Sequence, residues 1–160
     1  MNWLERYQDP LTIQRVLHNA QTIAIIGLSG NELRASNFVG YYLKRHGYDV
    51  IPVNPREPEI LGQTSYPSLL ELPAPVDVVN VFRAPDALPA IARDAVAIKA
   101  GALWCQFGVI NEDAARIAEK GGVPVIMDRR LKVEHARYVG RMHWLGFNTG
   151  RITSVRKGLQ

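Results

Sequence analysis

The segment from Thr22 to Gly47 constrains the fold of this chain most, because it combines the patterns of a strand, a polar loop and a helix. Thr22 to Gly27 is a short apolar run rich in isoleucine, which is typical of a strand buried on both faces of a parallel sheet. The loop carries Gly27 and Gly30, and apolar residues then return at helical spacing. This succession predicts an α/β fold in which the loop precedes a helix N-terminus, a position that favours anions.

The boundaries of this helix are predicted from its flanking residues. Ser36 is the predicted N-cap, and Gly47, which follows three basic residues, is the predicted stop. The two loop glycines do not have the G-x-G-x-x-G spacing of a dinucleotide site. The loop is therefore either part of a larger phosphate site or a glycine-bearing connection that binds no ligand.

Length and composition favour one globular domain over residues 1–160, with its core at 21–145, a short N-terminal helix and an irregular C-terminal tail. Hydrophobic residues make up 47% of the chain and charged residues 21%. The chain has neither a signal-peptide pattern nor an apolar run of about 18 residues, so we expect a cytoplasmic protein that does not contact a membrane. The net charge of +4 suits a small anionic ligand or incidental nucleic-acid affinity and does not choose between them.

Four more apolar runs follow the first and alternate with helical patterns. These predicted strands are Tyr48 to Pro55, Val76 to Arg83, Ala102 to Gly108 and Val123 to Met127. Alternating strands and helices predict parallel pairing, right-handed crossovers and helices on both faces of the sheet. We therefore expect a Rossmann-like three-layer α/β/α domain with a five-stranded parallel sheet in the order 3-2-1-4-5.

The helical patterns have recognisable starts. Asp9-Pro10 begins a short N-terminal helix, and Asn111 caps a later one. The last predicted helix runs from about Leu131 to Trp144. Pro52 lacks an N–H group, so the second strand should lie near an edge of the sheet or turn that position away from its partner.

Arginines follow several of the predicted strands. Those just past a strand or in its following loop are Arg34, Arg56, Arg83 and Arg129. Ligands of open α/β sheets bind beyond the carboxyl ends of the strands, at the switch point, which the predicted order places between the first and fourth strands. Any one of these arginines could be a solvated surface charge, but their shared placement favours an anionic ligand.

The residues at the end of the second predicted strand indicate which nucleotide this anionic ligand would be. An NAD site needs an acidic residue there to hold the ribose hydroxyls. This chain has Asn54-Pro55-Arg56 at that point. The sequence therefore disfavours NAD and is compatible with a phosphorylated adenosine.

Several segments also match a known family in order. They are Ile26 to Ser29 with Arg34 and Ser36, Val50 to Pro55, Ile60 to Gly62, Val76 to Arg83, Leu103 to Gly108 and Met127 to Arg129. With them the sequence resembles the small stand-alone CoA-binding proteins, whose domain is similar to the nucleotide-binding domain of the succinyl-CoA synthetase α subunit. The resemblance covers roughly Gln21 to Tyr138 and implies coenzyme A as the small-molecule ligand.

The resemblance also implies a role for individual residues. The CoA diphosphate would be surrounded by residues of the first loop, namely Gly27, Leu28, Ser29, Arg34 and Ser36. The adenosine and its 3′-phosphate would be bordered by residues after the second strand, namely Val53, Asn54, Pro55 and Arg56. The nucleotide would be covered from the third strand by Val81, Phe82 and Arg83, and Gln106 would face the pantetheine arm.

Thiol chemistry is not expected at this site. Members of the family often carry a cysteine directly after the Asp-Arg pair, where this chain has Arg130. The single cysteine, Cys105, excludes an intramolecular disulfide, and its place in a predicted strand indicates a buried, inert thiol. No group of residues has the spacing of a metal site.

Two functions of different classes remain open. The first is a non-catalytic module that binds CoA or acyl-CoA at the carboxyl edge of the sheet, with any protein partner unknown. The second is an NAD(P)- or acyl-CoA-dependent enzyme or redox-linked regulator, with His135 and His143 of the last predicted helix as candidate catalytic groups. A nucleic-acid partner is not expected, because the basic residues follow strand ends and do not line one helix.

Overall fold

The computed structural model describes residues 2–140 and has a five-stranded parallel sheet at its centre. The strands are β1 (Thr22–Ile26), β2 (Asp49–Val53), β3 (Glu59–Ile60), β4 (Gln63–Thr64), β5 (Val78–Val81), β6 (Leu103–Cys105) and β7 (Val125–Ile126). The main sheet contains β1, β2, β5, β6 and β7, while β3 and β4 form a separate antiparallel pair. Each strand of the main sheet lies within a predicted apolar run, so the predicted α/β class and parallel sheet are confirmed.

Helices connect these strands. They are α1 (Pro10–Asn19), α2 (Ala35–Arg45), α3 (Leu88–Ala97), α4 (Glu112–Lys120) and α5 (Leu131–His135). Short 3-10 helices cover Trp3–Tyr7, Leu69–Glu71 and Pro85–Ala87, and a π-helical turn at Ala136–Gly140 continues from α5. The last predicted helix is thus helical as far as Gly140, and its end, with His143 and Trp144, lies outside the described residues.

The predicted three layers arise from alternating side chains along β1. Ala24 and Ile26 pack in one hydrophobic cluster with buried alanines of α3 and α4. Ile23 and Ile25 pack in a second cluster with Leu17 of α1 and with residues of α2 and α5. Successive residues of a strand point to opposite faces of a sheet, so the sheet is covered by helices on both sides.

Two predicted helix starts are confirmed by their hydrogen bonds. The Asp9 carboxylate accepts from the N–H groups of Leu11 and Thr12 at the start of α1. The Asn111 side chain accepts from the N–H of Ala114 at the start of α4. Each side chain satisfies N–H groups that the first helical turn leaves without a partner.

The predicted strand order 3-2-1-4-5 is wrong, because the third predicted strand is central. That strand is β5, which pairs in parallel with β1 on one side and with β6 on the other. The order is therefore β2-β1-β5-β6-β7. All residues of β5 are buried, as expected of a strand covered on both faces. The switch point lies between β1 and β5, not between the first and fourth predicted strands.

The predicted order placed the third predicted strand beside β2, at the edge of the sheet. In the structure a single residue, Tyr66, lies beside β2 on that side. Tyr66 forms an isolated parallel bridge with Val53. Its N–H donates to the carbonyl of Pro52 at 3.0 Å, and its carbonyl accepts from the N–H of Asn54 at 2.9 Å. The chain then crosses to the other side of β1 and forms β5. The expectation that Pro52 lies near an edge of the sheet is confirmed.

No helix in the part of the chain described, residues 2–140, is both long enough and apolar enough to cross a bilayer.

Candidate functional site

An open cleft of about 400 Å³ lies at the carboxyl ends of β1, β2 and β5. We call it the loop cleft, and its lining residues are Gly27, Ser29, Arg34, Ala35, Ser36, Asn54, Arg56, Glu57, Phe82 and Arg83. These residues come from three loops and the first turn of α2, which the sheet topology brings to one edge. The cleft therefore lies where ligands bind in open α/β sheets.

Gly27 brings the first loop against the end of β5. Its φ of +88° lies in the left-handed region that L side chains rarely adopt, and a Cβ atom there would lie 2.8 Å from the carbonyl oxygen of Phe82. The Gly27 N–H donates to the carbonyl of Val53 at 2.9 Å. A glycine is needed here because both the backbone conformation and the close approach exclude a side chain.

The loop after Gly27 is held by hydroxyl and amide groups. The Ser29 N–H donates to Ser36 Oγ at 3.1 Å, and Asn37 Nδ2 donates to the Ser29 carbonyl at 2.8 Å. The Ser29 hydroxyl in turn accepts from the N–H of Asn31 at 3.0 Å. The loop is therefore fixed to the first turn of α2 and has a defined shape.

The predicted N-cap at Ser36 is wrong. Helix α2 begins at Ala35, and Arg34 is in the cap position without a side-chain cap hydrogen bond. Ser36 lies inside the first turn, where its hydroxyl accepts from the loop and not from the helix. Because no side chain caps α2, its first N–H groups and its positive dipole end are open to the loop cleft.

Asn54 joins the loops that follow β1 and β2. Its Nδ2 donates to the carbonyl of Leu28 at 2.9 Å, and its Oδ1 accepts from the N–H of Arg56 at 2.8 Å. One side chain thus sets the spacing of the two loops and the turn that carries Arg56. This role was not visible from the sequence, where Asn54 marks only the end of a strand.

The electrostatics of the loop cleft are predominantly positive. Arg34 and Arg56 are exposed, Arg83 is half-buried, and within residues 2–140 none of the three is in an ion pair. Glu57 opposes them as the carboxylate in the lining, and its oxygens accept from the N–H of Gly30. Three guanidinium groups and one carboxylate leave an excess of positive charge, which suits an anion with several negative charges.

A second cleft, of about 510 Å³, continues from the loop cleft toward β6 and α5. We call it the apolar cleft, and its lining residues are Ala35, Phe38, Val39, Phe82, Arg83, Gln106, Phe107, Val109, Arg130, Lys132 and Val133. Ala35, Phe82 and Arg83 line both clefts, so the two are continuous. The exposed side chains of Phe38, Phe107 and Val133 give this cleft an apolar surface.

Gln106 lines the apolar cleft and is held from within the core. Its Nε2 donates to Asn80 Oδ1 at 3.1 Å, and Asn80 Nδ2 donates to the Trp104 carbonyl at 3.3 Å. Asn80 is fully buried in β5 and Gln106 is 5% exposed. The amide of Gln106 therefore has a fixed orientation at the floor of the cleft.

A third cleft, of about 280 Å³, extends from the apolar cleft along the loop before α5. We call it the arginine cleft, and its lining residues are Phe107, Asp128, Arg129, Arg130, Val133, Glu134 and Arg137. Phe107, Arg130 and Val133 line both the apolar and the arginine clefts. The three clefts thus form one path along the carboxyl edge of the sheet.

Most of the predicted site residues lie together, and some do not line the path. The loop cleft contains Gly27, Ser29, Arg34, Ser36, Asn54, Arg56, Phe82 and Arg83. Gln106 lines the apolar cleft. Leu28, Val53 and Val81 have their side chains in the hydrophobic core, and Pro55 is exposed outside the three clefts.

Sequence reasoning missed Glu57 and two apolar helix residues that line the apolar cleft, Phe38 and Val133. Glu57 lies in a stretch without periodicity, so nothing in the sequence indicated that it folds back onto Gly30. Phe38 and Val133 are apolar residues of helices, which a sequence pattern assigns to a core face by default. In the structure these two side chains are 54% and 44% exposed and line the apolar cleft.

The candidate catalytic histidine is not at this path. His135 is fully buried, and its Nδ1 is 2.8 Å from the hydroxyl of Tyr42. Its ring also contacts the rings of His46 and Tyr48. His135 lines none of the three clefts, and His143 lies outside the described residues.

Cys105 is buried, as predicted. Burial raises the pKa of its thiol from 9.0 to about 12, so the thiol is protonated at neutral pH. Between Asn2 and Gly140, no cluster of histidine, cysteine and acidic side chains is placed to hold a metal ion.

A protein family and several known proteins match most of this chain. The family described as the CoA binding domain matches residues 21–136. An uncharacterized protein of Bacillus subtilis, YneT, is 40% identical over 124 residues, which cover 78% of this chain and 92% of that protein. A solved structure of a hypothetical protein from Pyrococcus horikoshii is 32% identical, with a TM-score of 0.82, and the alignment covers 88% of this chain and 99% of that chain.

A larger enzyme contains a related segment. The ADP-forming acetate–CoA ligase I of Archaeoglobus fulgidus is 31% identical over 118 residues. The alignment covers 66% of this chain and 17% of the ligase. The match thus concerns one part of that enzyme, and the activity belongs to the whole ligase.

Proposed function

The chain belongs to the CoA-binding domain family, and from that premise we propose that it is a non-catalytic module that binds coenzyme A or an acyl-CoA. The ligand would lie along the carboxyl edge of the sheet. Its diphosphate would occupy the loop cleft, beside Gly27, Ser29, Arg34 and the open N-terminus of α2. Its pantetheine arm would follow the apolar cleft past Gln106.

The observation that carries this proposal is the continuity of two chemically different clefts. Coenzyme A has a highly charged nucleotide at one end and a long, weakly polar arm at the other. The loop cleft offers guanidinium and N–H groups, and the apolar cleft offers aromatic and aliphatic surface, with Phe82 and Arg83 shared by both. A bare phosphate or a simple sugar phosphate has no apolar part that would occupy the apolar cleft.

The 3′-phosphate is assigned to Arg56 on the same basis. Arg56 lines the loop cleft directly after β2 and is exposed without an ion pair in residues 2–140. In nucleotide-binding sheets an arginine at this position accommodates a phosphate on the ribose. Phe82 would cover the nucleotide from the side of β5.

The test is a set of calorimetric titrations of the purified full-length chain with CoA, dephospho-CoA, NADH and NADPH. We expect CoA to bind with a dissociation constant in the micromolar range and the nicotinamide nucleotides to bind more weakly. Glu57 makes the NADH arm informative, because a carboxylate in this cleft could hold ribose hydroxyls. Tighter binding of NADH than of CoA would overturn the proposal.

The location of the site is tested separately. Arg34→Ala and Arg83→Ala should each weaken CoA binding about tenfold, because each removes a charge-assisted contact to phosphate. Arg93→Ala is the matched control, since Arg93 is an exposed arginine of α3 that lines none of the three clefts. If all three variants bind CoA like the wild type, the ligand lies elsewhere.

A further inference from the structure

The arginine cleft lies beyond the apolar cleft, at the end of the path opposite the loop cleft. In the proposed orientation, the sulfur end of the pantetheine arm points toward it. The chemistry of the arginine cleft therefore indicates which acyl group on that sulfur the chain would bind. This inference rests on the proposed function and goes beyond it, because binding of CoA itself does not specify the acyl group.

Most charged groups of the arginine cleft are already paired. Asp128 Oδ1 accepts from the N–H of Gly108 at 2.7 Å, and the Glu134 carboxylate is 3.2 Å from Arg137. Arg129 donates to the side chain of Gln8 and to the carbonyl of Asp128. These groups hold each other and the loop, so they have limited capacity for a ligand.

Arg130 differs from them. Its guanidinium lies over the ring of Phe107, with Cζ 4.4 Å from the ring centroid. Within residues 2–140 it forms no ion pair, and it lines both the apolar and the arginine clefts. A guanidinium that stacks on an aromatic face is oriented by that contact, while the N–H groups at its edge remain available to a carboxylate.

We propose that Arg130, held on Phe107, is a recognition site for a carboxylate at the end of the acyl group, so that the chain prefers thioesters of dicarboxylic acids over neutral thioesters of the same length. The acyl chain would start at the apolar cleft and place its terminal carboxylate at the guanidinium. A planar carboxylate can accept two parallel hydrogen bonds from one arginine. A neutral acyl group of the same length would offer this cation no such pair of hydrogen bonds.

Two matched pairs of ligands test the preference by calorimetry. Succinyl-CoA is compared with butyryl-CoA, and glutaryl-CoA with pentanoyl-CoA, so that each pair differs in the terminal carboxylate. We expect the acidic thioester of at least one pair to bind the wild type about tenfold more tightly than its neutral partner. Equal affinities in both pairs, together with binding of CoA itself, would overturn this inference and leave the proposed function intact.

Variants locate the effect. Arg130→Gln should reduce the ratio of affinities within each pair to within about twofold, and Arg130→Lys should retain only part of the preference, because an ammonium lacks the planar fork. Arg93→Gln removes one positive charge from a residue that lines none of the three clefts and controls for the general effect of net charge. A preference that survives in Arg130→Gln would overturn the assignment. If neither CoA nor its thioesters bind, the proposed function fails, and this inference fails with it.

Discussion

The N–H of Gly30 donates to both carboxylate oxygens of Glu57, at distances of 3.1 Å and 3.2 Å. A Cβ atom on Gly30 would collide with the same carboxylate. The loop after β1 and the loop after β2 are thereby joined at the loop cleft, which Glu57 lines. The joining group is an acid among three arginines, so it shapes the cleft and also lowers its attraction for anions.

Glu57→Gln should bind CoA two- to fivefold more tightly than the wild type, because it removes a negative charge and keeps an oxygen that accepts from Gly30. The gain should shrink as salt is raised, since screening weakens interactions between partly exposed charges. Calorimetry at low and high ionic strength measures both effects. Weaker binding by Glu57→Gln would mean that the carboxylate itself contacts the ligand, for example through a ribose hydroxyl.

Gly27→Ala should lower the free energy of unfolding by about 2 to 3 kcal/mol, because a side chain there is strained by its positive φ and also meets Phe82. Gly62→Ala is the matched control. Gly62 has a φ of +75° but open space around it, so its substitution should cost about 1 kcal/mol. Urea denaturation of the two variants separates strain from collision, and equal losses would show that the contact with Phe82 is unimportant.

Arg56→Gln should remove the ability to distinguish CoA from dephospho-CoA. If Arg56 binds the 3′-phosphate, the wild type should bind CoA about tenfold more tightly than dephospho-CoA, and the variant should bind the two alike. The comparison uses the same protein with two ligands, so a general loss of folding cannot produce it. A discrimination that persists in Arg56→Gln would assign the 3′-phosphate to another residue.

Cys105 should not react with thiol reagents in the native protein at about pH 8, because the thiol is buried and the pKa is raised to about 12. Labelling with Ellman's reagent should proceed only as fast as the protein unfolds. Rapid labelling of native protein would contradict the burial of this residue. The same property makes Cys105 unsuited to forming a mixed disulfide with CoA.

The raised pKa also gives stability a defined pH dependence. An unfolded chain loses the thiol proton near pH 9, whereas the folded chain keeps it to about pH 12. The folded state therefore binds more protons in this window, and the free energy of unfolding falls as pH rises, by up to about 1.4 kcal/mol per pH unit. Tyr42, whose pKa burial raises to about 12, adds to the fall above pH 10. Urea titrations at several pH values measure the slope, which should be shallower in Cys105→Ala.

The sequence predicted the strands well because each one leaves a local pattern. Apolar runs such as the one ending at Gly27 require only neighbouring residues, and caps such as Asp9 and Asn111 act within one turn. Strand order is not local in this sense. The signal that was present, Pro52, indicated a place near an edge or an N–H turned away from the partner strand, and neither alternative specifies which strand lies beside β1.

The candidate site was predictable in part for the same reason. Arginines and glycines after strands converge on one edge by topology, so Arg34, Arg56 and Arg83 could be named in advance. The contacts of Glu57 with Gly30 and of Arg130 with Phe107 join residues that are distant in the sequence. Such contacts depend on how loops fold back, and no spacing rule describes that.

The hydrogen-bonded pair Asn80 and Gln106 has one more consequence. The Trp104 carbonyl can only accept, so it orients the Asn80 amide, and the Asn80 oxygen in turn orients the amide of Gln106. This relay uses one of the two Nε2 hydrogens of Gln106 and leaves its oxygen and its second N–H for other partners. The orientation of the amide at the cleft floor is thus dictated by a backbone carbonyl of β6, and a molecule seated on Gln106 meets a donor and an acceptor in fixed positions.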